Sequence, residues 1–324
     1  MDVNSRLAVL AARYERRQGR MHIFREYEPA IQAVRGEAPS ISRCSRIVAP
    51  RLGRRVHALS RTEAEAMLFA LYCPELVDMQ EQRCLPLDSS RHPVSPYSTD
   101  PAQLALLPGS VPTADQLGLI RFHPRFVDGP ADARYHVPLQ IVGDILLILC
   151  DKAGIYAMNW NVKRDENGFH ERLGAKPLRR GSRRNEEKAK ALFEIERTCY
   201  AKAGIPTRGV VSGSFDKNLI INLSHYHASY FQRTELSEDV QRAMIEAFRG
   251  ILNSGCTPFD LSLRLCREFR CALGDCLTVF RQAIWNRRLL VDLFRPVVST
   301  APIHAETISP FERYAKFFAR EYLE

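Results

Sequence analysis

No window of this sequence is apolar for the length that a membrane-spanning helix requires, so no helical span is expected. The opening stretch, MDVNSRLAVLAARYERRQGR, lacks the layout of a signal peptide, because arginines follow its short apolar run. It reads instead as a basic helix. No internal repeat is visible. Cysteine occurs nine times, but the count is odd and no two cysteines have Cys-x-x-Cys spacing. That excludes a recognisable disulfide framework and fits thiols kept in a reducing cytoplasm.

What is present bounds the rest. The chain has 324 residues, enough for two domains, and 45% of them are hydrophobic, enough for a sizeable core. Lys and Arg number 46 against 37 Asp and Glu, a net charge of +9 that favours a polyanionic partner, DNA or RNA first. The basic residues cluster at Arg13, Arg16, Arg17 and Arg20, in RLGRR at 51–55, and in LRRGSRR at 178–184. Each cluster reads equally as a set of phosphate contacts or as a solvated face.

Along the chain, Ser60-Arg61-Thr62-Glu63 fits a capping box ahead of the apolar Met67, Leu68 and Leu71, so a helix is expected from Arg61. A strand is expected at 76–87. Residues 88–132, rich in Pro, Ser and Asp, read as a loop-like insertion, and 164–187 as a polar, basic connection. A helix from about Glu186 to Ala203 ends at Gly204, and TRGVVSGS follows as a short strand. From about Phe215 the pattern is mainly helical. TPFDLSLRLCREF and LGDCLTVFRQAIWNRRLLVDLF read as helix, turn, helix and β-wing, the outline of a small winged-helix module.

The segment GDILLILCDKAGIYAMNWNVK, 143–163, carries the chemistry. Ile145 to Cys150 is a short apolar run that reads as a buried strand, Asp151-Lys152-Ala153-Gly154 is turn chemistry, and Ile155 to Val162 returns. A loop at Lys152-Ala153 sets Asp144 opposite Asn161. Opposed and alternate residues share a sheet face, so Asp144, Asn161 and Lys163 are expected to converge at one end of the hairpin. A carboxylate there could hold Mg²⁺ and an ammonium could hold a phosphate or orient water, but the same corner fits a solvated ion pair. Elsewhere, His225 and His227 are expected on one face of a strand, with no third ligand to make a zinc site. Cys266, Cys271 and Cys276 read as small buried hydrophobes, Glu196 as a supporting residue rather than a ligand, and Trp160 and Trp285 as core.

Taken together these segments resemble the TnsA family, the endonuclease subunit of heteromeric, Tn-seven-type transposases. GRRVHALSRTEAEAMLFALYCPELVDMQEQRCLPL resembles that family's opening catalytic block through Gly53, Arg54, His57, Ser60, Glu63, Glu81 and Gln82. Asp144 matches its Asp at the head of an apolar strand. NVK at 161–163 matches its Gln-Val-Lys, with Asn161 where the family has Gln. EIERTCYAKAGIP at 194–206 matches its Glu-x-x-x-Tyr/Trp before Gly-Ile-Pro, SGSFDKNLIINL its later Asp and Asn stretch, and GDCLTVFRQAIWNRRLLVDLF its winged-helix segment.

The resemblance implies an α/β protein. A restriction-endonuclease-like catalytic core would span 1–206, and a mainly helical winged-helix-like domain, 207–324, would dock a partner or regulator. It implies Glu63, Asp144, Asn161 and Lys163 as catalytic residues, with Mg²⁺ (or Mn²⁺) held by Glu63, Asp144 and the Val162 carbonyl. The implied activity is metal-dependent hydrolysis at the 5′ ends of a transposon. The implied partners are transposon-end DNA, a DDE-type transposase (TnsB-like) and an ATP-dependent regulator (TnsC-like) at the C-terminal domain. No membrane partner is implied, and the location is the bacterial cytoplasm, at the nucleoid. Two other readings remain: a DNA-binding or regulator-docking subunit whose nuclease core has decayed, and a stand-alone restriction or repair nuclease.

Overall fold

The computed structural model describes residues 3–39, 43–130, 132–166 and 183–320. Most of the basic connection expected at 164–187, with the greater part of LRRGSRR, lies outside the described residues. The chain divides into two compact units. One comprises Met1–Met67, Glu75–Ser212 and Lys316–Glu324, the other Leu68–Pro74 and Gly213–Ala315.

The first unit is α/β. Its centre is a mixed four-stranded sheet of β3 (Leu76–Glu81), β6 (Ile145–Asp151), β7 (Gly154–Lys163) and β8 (Thr207–Val211), in that order. The first three strands are antiparallel neighbours and β8 runs parallel to β7. Before it in the chain come α1 (Val3–Gln18), a hairpin of β1 (Ser45–Ala49) and β2 (Arg54–Ala58), and α2 (Arg61–Tyr72), whose residues from Leu68 on belong to the second unit. α4 (Arg183–Lys202) leads into β8, and Gly204 at φ +73° makes the left-handed turn that ends it.

Register at the sheet centre is set by β7 more than by β6. Ile145 to Leu149 is buried on both faces, so β6 alone would tolerate a slip. β7 alternates Ala157, Asn159 and Asn161 with Met158, Trp160 and Val162, and sliding it by one residue would exchange the two sets. Asp151 pairs with Gly154 (φ +110°) across the turn, and Ile145 with Trp160 at the far end. On one face Leu146, Ile148 and Ala157 share a buried cluster with Ile195, Cys199 and Tyr200 of α4. On the other, Trp160 meets Phe317 and Phe318 edge-on at 6.2 and 5.3 Å, and its Nε1 donates to Phe317 O at 2.8 Å.

Residues 88–132 are more ordered than a loop. They include α3 (Ser110–Gln116) and β4 (Arg125–Asp128), which pairs with β5 (Tyr135–Pro138). Val94, Leu107 and Ala114 enter the core cluster on α4's side of the sheet. These apolar residues are scattered without helix or strand period among Pro and Ser, which concealed their burial in the sequence. Two arginines of the basic clusters are also internal. Arg17 is buried in a two-pronged ion pair with Glu37, at 2.7 and 3.0 Å. The Arg54 guanidinium grips the fully buried Glu81 at 2.8 and 2.9 Å. Neither can serve as a phosphate contact while so engaged, whereas Arg16, Arg20 and Arg55 are exposed.

The second unit is built from α5 (Lys217–His227), α6 (Glu238–Gly250), α7 (Pro258–Phe269), α8 (Leu273–Trp285) and the short α9 (Pro310–Arg313). Met244, Phe248, Leu265, Val279 and Phe280 are among its buried residues. Where a β-wing was expected after α8, Val291 and Ala305 form an isolated antiparallel bridge. His225 and His227 lie on α5 rather than on a strand. Asp216 caps that helix by accepting from Asn218 N–H and Leu219 N–H, and two positions apart on a helix the imidazoles diverge. Among the described residues no helix is long and apolar enough to cross a membrane.

Candidate active site

Asp144 precedes β6 and Lys163 ends β7. Lys163 Nζ lies 2.6 Å from Asp144 Oδ2, which also accepts the Val162 N–H at 2.6 Å. Lys163 Nζ makes a second bond, at 3.1 Å, to the Val162 carbonyl. Burial, the largest influence, disfavours charge on this ammonium, but Asp144 together with Glu196 and Glu63 outweighs it, so its pKa is raised. Lys163 is a fixed cation at neutral pH.

Asn161 lies on the same face, buried, two residues before Lys163. Its Nδ2 donates to Glu196 Oε2 at 3.0 Å, while its own Oδ1 is buried with no partner among the described residues. The other Glu196 oxygen accepts from Asn159 Nδ2 at 2.9 Å. Two amides from alternate positions of β7 thus clamp one carboxylate from α4. Burial, followed by the charge of Asp144, pushes the Glu196 pKa up to about 7. Gly143, next to Asp144, leaves room for this carboxylate: a methyl there would stand 3.0 Å from Glu196 Oε1.

Glu63 reaches the site from the start of α2. Leu59 N–H and Gln82 Nε2 each donate to its Oε2 at 2.9 Å, and Ser60 Oγ donates to Oε1 at 3.1 Å. The expected capping box exists, but the glutamate reaches back to the residue before the cap and to the cap hydroxyl. Three of the roughly four acceptor positions of a carboxylate are therefore used. Burial, then Asp144, raises the Glu63 pKa to about 7. Gln82 links the two acids. Its side chain holds Glu63, and its N–H donates to Asp144 O at 2.8 Å from a backbone at φ +51°, which a non-glycine residue adopts at a cost of about 1–3 kcal/mol.

Glu63, Asp144, Asn161 and Lys163 are therefore brought to one corner of the sheet. The Val162 carbonyl also lies there, bonded to Lys163. Two other residues of the sequence motif face elsewhere: Glu81 is spent on Arg54, and His57 Nδ1 accepts from Ala33 N–H at 3.0 Å. Burial and then Arg54 hold the His57 pKa down at about 4, so its ring is neutral. Asn159 was missed as a member of the group, and Glu196, expected as a supporting residue, is its partner. The signal for Glu196 was visible in α4, where it stands inside the apolar stripe of Leu192, Ile195, Cys199 and Tyr200.

The donor chemistry fits a hard divalent cation. All the oxygens are of carboxylate, amide or carbonyl type, Asn161 Oδ1 is a buried acceptor with no partner among the described residues, and Asp144, after burial, raises the pKa of both Glu63 and Glu196, a repulsion that a cation relieves. The three acids do not bring their oxygens mutually within 4.8 Å; among the described residues that spacing is met by a trio of thiols. A cation here would be held by two acids with the amide and carbonyl oxygens. No protein-family model matches this sequence, and no curated protein does.

Proposed function

We propose that this protein is a metal-dependent DNA endonuclease of the TnsA type, cutting the 5′ ends of a transposon within a heteromeric transposase. The observation that carries this reading is the pairing of Lys163 with Asp144 close to Glu63, on a strand whose Asn161 Oδ1 is buried with no partner among the described residues. The mixed sheet that carries Asp144 and Lys163 on neighbouring strands supports a restriction-endonuclease-like core, and the net charge of +9 supports a nucleic-acid substrate. The α7–α8 pair supports a winged-helix-like second domain. Partners on this reading are transposon-end DNA, a DDE-type transposase that handles the 3′ ends, and an ATP-dependent regulator docking on the second unit. The nine free thiols fit action on the nucleoid in a reducing cytoplasm.

Glu63, Asp144 and Asn161 Oδ1, helped by the Val162 carbonyl, would hold Mg²⁺ or Mn²⁺. When bound, the cation supplies Lewis-acid polarisation of the phosphoryl group and neutralises its charge. Lys163, fixed as a cation by Asp144, binds and orients the scissile phosphate and stabilises developing negative charge. It does not act as a base, because it does not give up its proton at neutral pH. Glu196, which is not among those ligands and is held near 7, is suited to accept the proton of an attacking water. The clamp of Asn159 and Asn161 fixes the Glu196 rotamer for that role.

The neutral Asn161 and the three hydrogen bonds already on Glu63 favour one competing reading, a subunit whose nuclease core has decayed and that only binds DNA or docks a regulator. Cleavage of 5′-labelled transposon-end DNA, with and without a DDE-type partner, decides between them. Nicking that requires Mg²⁺, stops in EDTA and is lost in Asp144→Asn supports the endonuclease. DNA binding without nicking under every condition supports the decayed subunit.

A further inference from the structure

The second unit holds a side-chain cluster that the nuclease reading does not use. Cys266 lies in the last turn of α7, and Arg270 closes that helix in the left-handed conformation, φ +52°. Cys271 follows at once, its N–H donating to the Cys266 carbonyl at 3.1 Å. Ala272 then caps α8, and Cys276 stands buried in that helix's second turn. The tight turn brings together three thiols that a spacing of five residues would scatter around a continuous helix. Cys266 Sγ and Cys271 Sγ each lie 3.5 Å from Cys276 Sγ, and all three sulfurs are within 4.8 Å of one another.

We infer that Cys266, Cys271 and Cys276 form a three-thiolate site for a thiophilic divalent cation, Zn²⁺ first, that staples the end of α7 to the start of α8. Tetrahedral Zn–S bonds of about 2.3 Å set sulfurs about 3.8 Å apart, whereas a disulfide sets them about 2.05 Å apart. The observed spacing is close to the first. Buried thiols acting only as small hydrophobes would have no reason to converge on one point. Soft thiolates select zinc over the hard Mg²⁺ proposed for the nuclease site. Cys266 and Cys271 are half-exposed, so the ion has an entry path and its fourth position is open to water. Three thiolates around Zn²⁺ leave one net negative charge, set at the N-terminal, positive end of the α8 dipole.

The test uses the full, reduced chain titrated with Zn²⁺ against a chromophoric chelator. The expected result is uptake of about one equivalent per chain, abolished in Cys266→Ser and Cys271→Ser and retained in Cys256→Ser, whose thiol lies outside the cluster. Because Cys271 is half-exposed, its serine variant should keep the wild-type circular dichroism. A second measurement needs no variant: Zn²⁺ should protect the two half-exposed thiols, Cys266 and Cys271, from alkylation in the folded protein. No uptake, uptake unchanged in Cys271→Ser, alkylation unaffected by zinc, or a disulfide within the trio in the purified protein would each overturn the site.

Discussion

Asn161 donates its amide to Glu196 Oε2 across 3.0 Å, so the residue that departs from the expected glutamine is tied to a carboxylate on another element. Replacing Asn161 with Asp exchanges that donor for a second negative charge. Without a cation, Asn161→Asp should destabilise the protein by about 1–3 kcal/mol, the cost of a lost buried hydrogen bond with like-charge repulsion added. Mg²⁺ should recover most of the loss and bind more tightly than to wild type. Thermal melts with and without Mg²⁺ check both parts, and a variant indifferent to Mg²⁺ would remove Asn161 from the cation site.

Asp144 carries more structure than a bare ligand. It accepts from both Lys163 Nζ and Val162 N–H, so Asp144→Ala would strand two donors and confuse folding with chemistry. Asp144→Asn is the cleaner variant. It should lower single-turnover nicking by at least about 10²-fold, the usual scale for removing one electrostatic element of a site, while melting changes little. Lys163→Met should lower the rate by a similar factor with Mg²⁺ binding retained, as read by calorimetry.

The acid pair gives a pH signature. The folded pKa values of Glu63 and Glu196, about 7, stand above the usual carboxylate value of 4.5. Between those values the native state binds more protons than the unfolded chain, so stability from these groups is present at low pH and lost as pH rises through 7. The metal-free protein should therefore melt lower at about pH 8 than at about pH 5.5, and Mg²⁺ should raise the melting temperature more at the higher pH. The double variant Glu63→Gln/Glu196→Gln should flatten both trends. A wild-type melt rising with pH over this range would contradict the assignment.

Arg54→Ala tests the ion pair under the site. Glu81 is fully buried and held at both oxygens by Arg54, so the variant leaves an uncompensated internal carboxylate. A loss of about 3–5 kcal/mol is expected from urea unfolding. Adding Glu81→Gln should recover part of it, because the neutral amide carries no stranded charge.

Much of the site was legible because a hairpin is local. The turn at Asp151–Gly154 and the alternation of β7 were enough to place Asp144 beside Lys163, and the strand pairing matches that register through Ile145 and Trp160. Glu63 was legible twice over, as a cap residue and as an acid. Glu196 was set aside because its value depends on where α4 lies on the sheet, which no local pattern encodes. The thiol trio was hidden for a related reason: equal spacing along the chain says nothing until the turn at Arg270 folds one helix back on the next. The histidines of α5 misled because Val-, Ile- and Leu-rich runs of this length fit helix and strand alike, and the Asp216 cap decides between them.

The pairing of Trp160 with Phe317 spans 157 residues of chain. Arg208 likewise donates to Lys316 O at 2.7 Å and Ala319 O at 2.9 Å. During synthesis, β7 and β8 leave the ribosome long before the residues that complete this side of their sheet, so the corner that holds Asp144 and Lys163 is assembled on a platform closed much later. Contacts of such separation slow folding and expose a sheet face in the interval. Premature termination within the helical unit would thus yield a chain that holds Glu63, Asp144, Asn161 and Lys163 without a closed sheet to align them. Phe317 and its neighbours thus act as a clasp on the sheet, closed only after the helical unit that precedes them has been made.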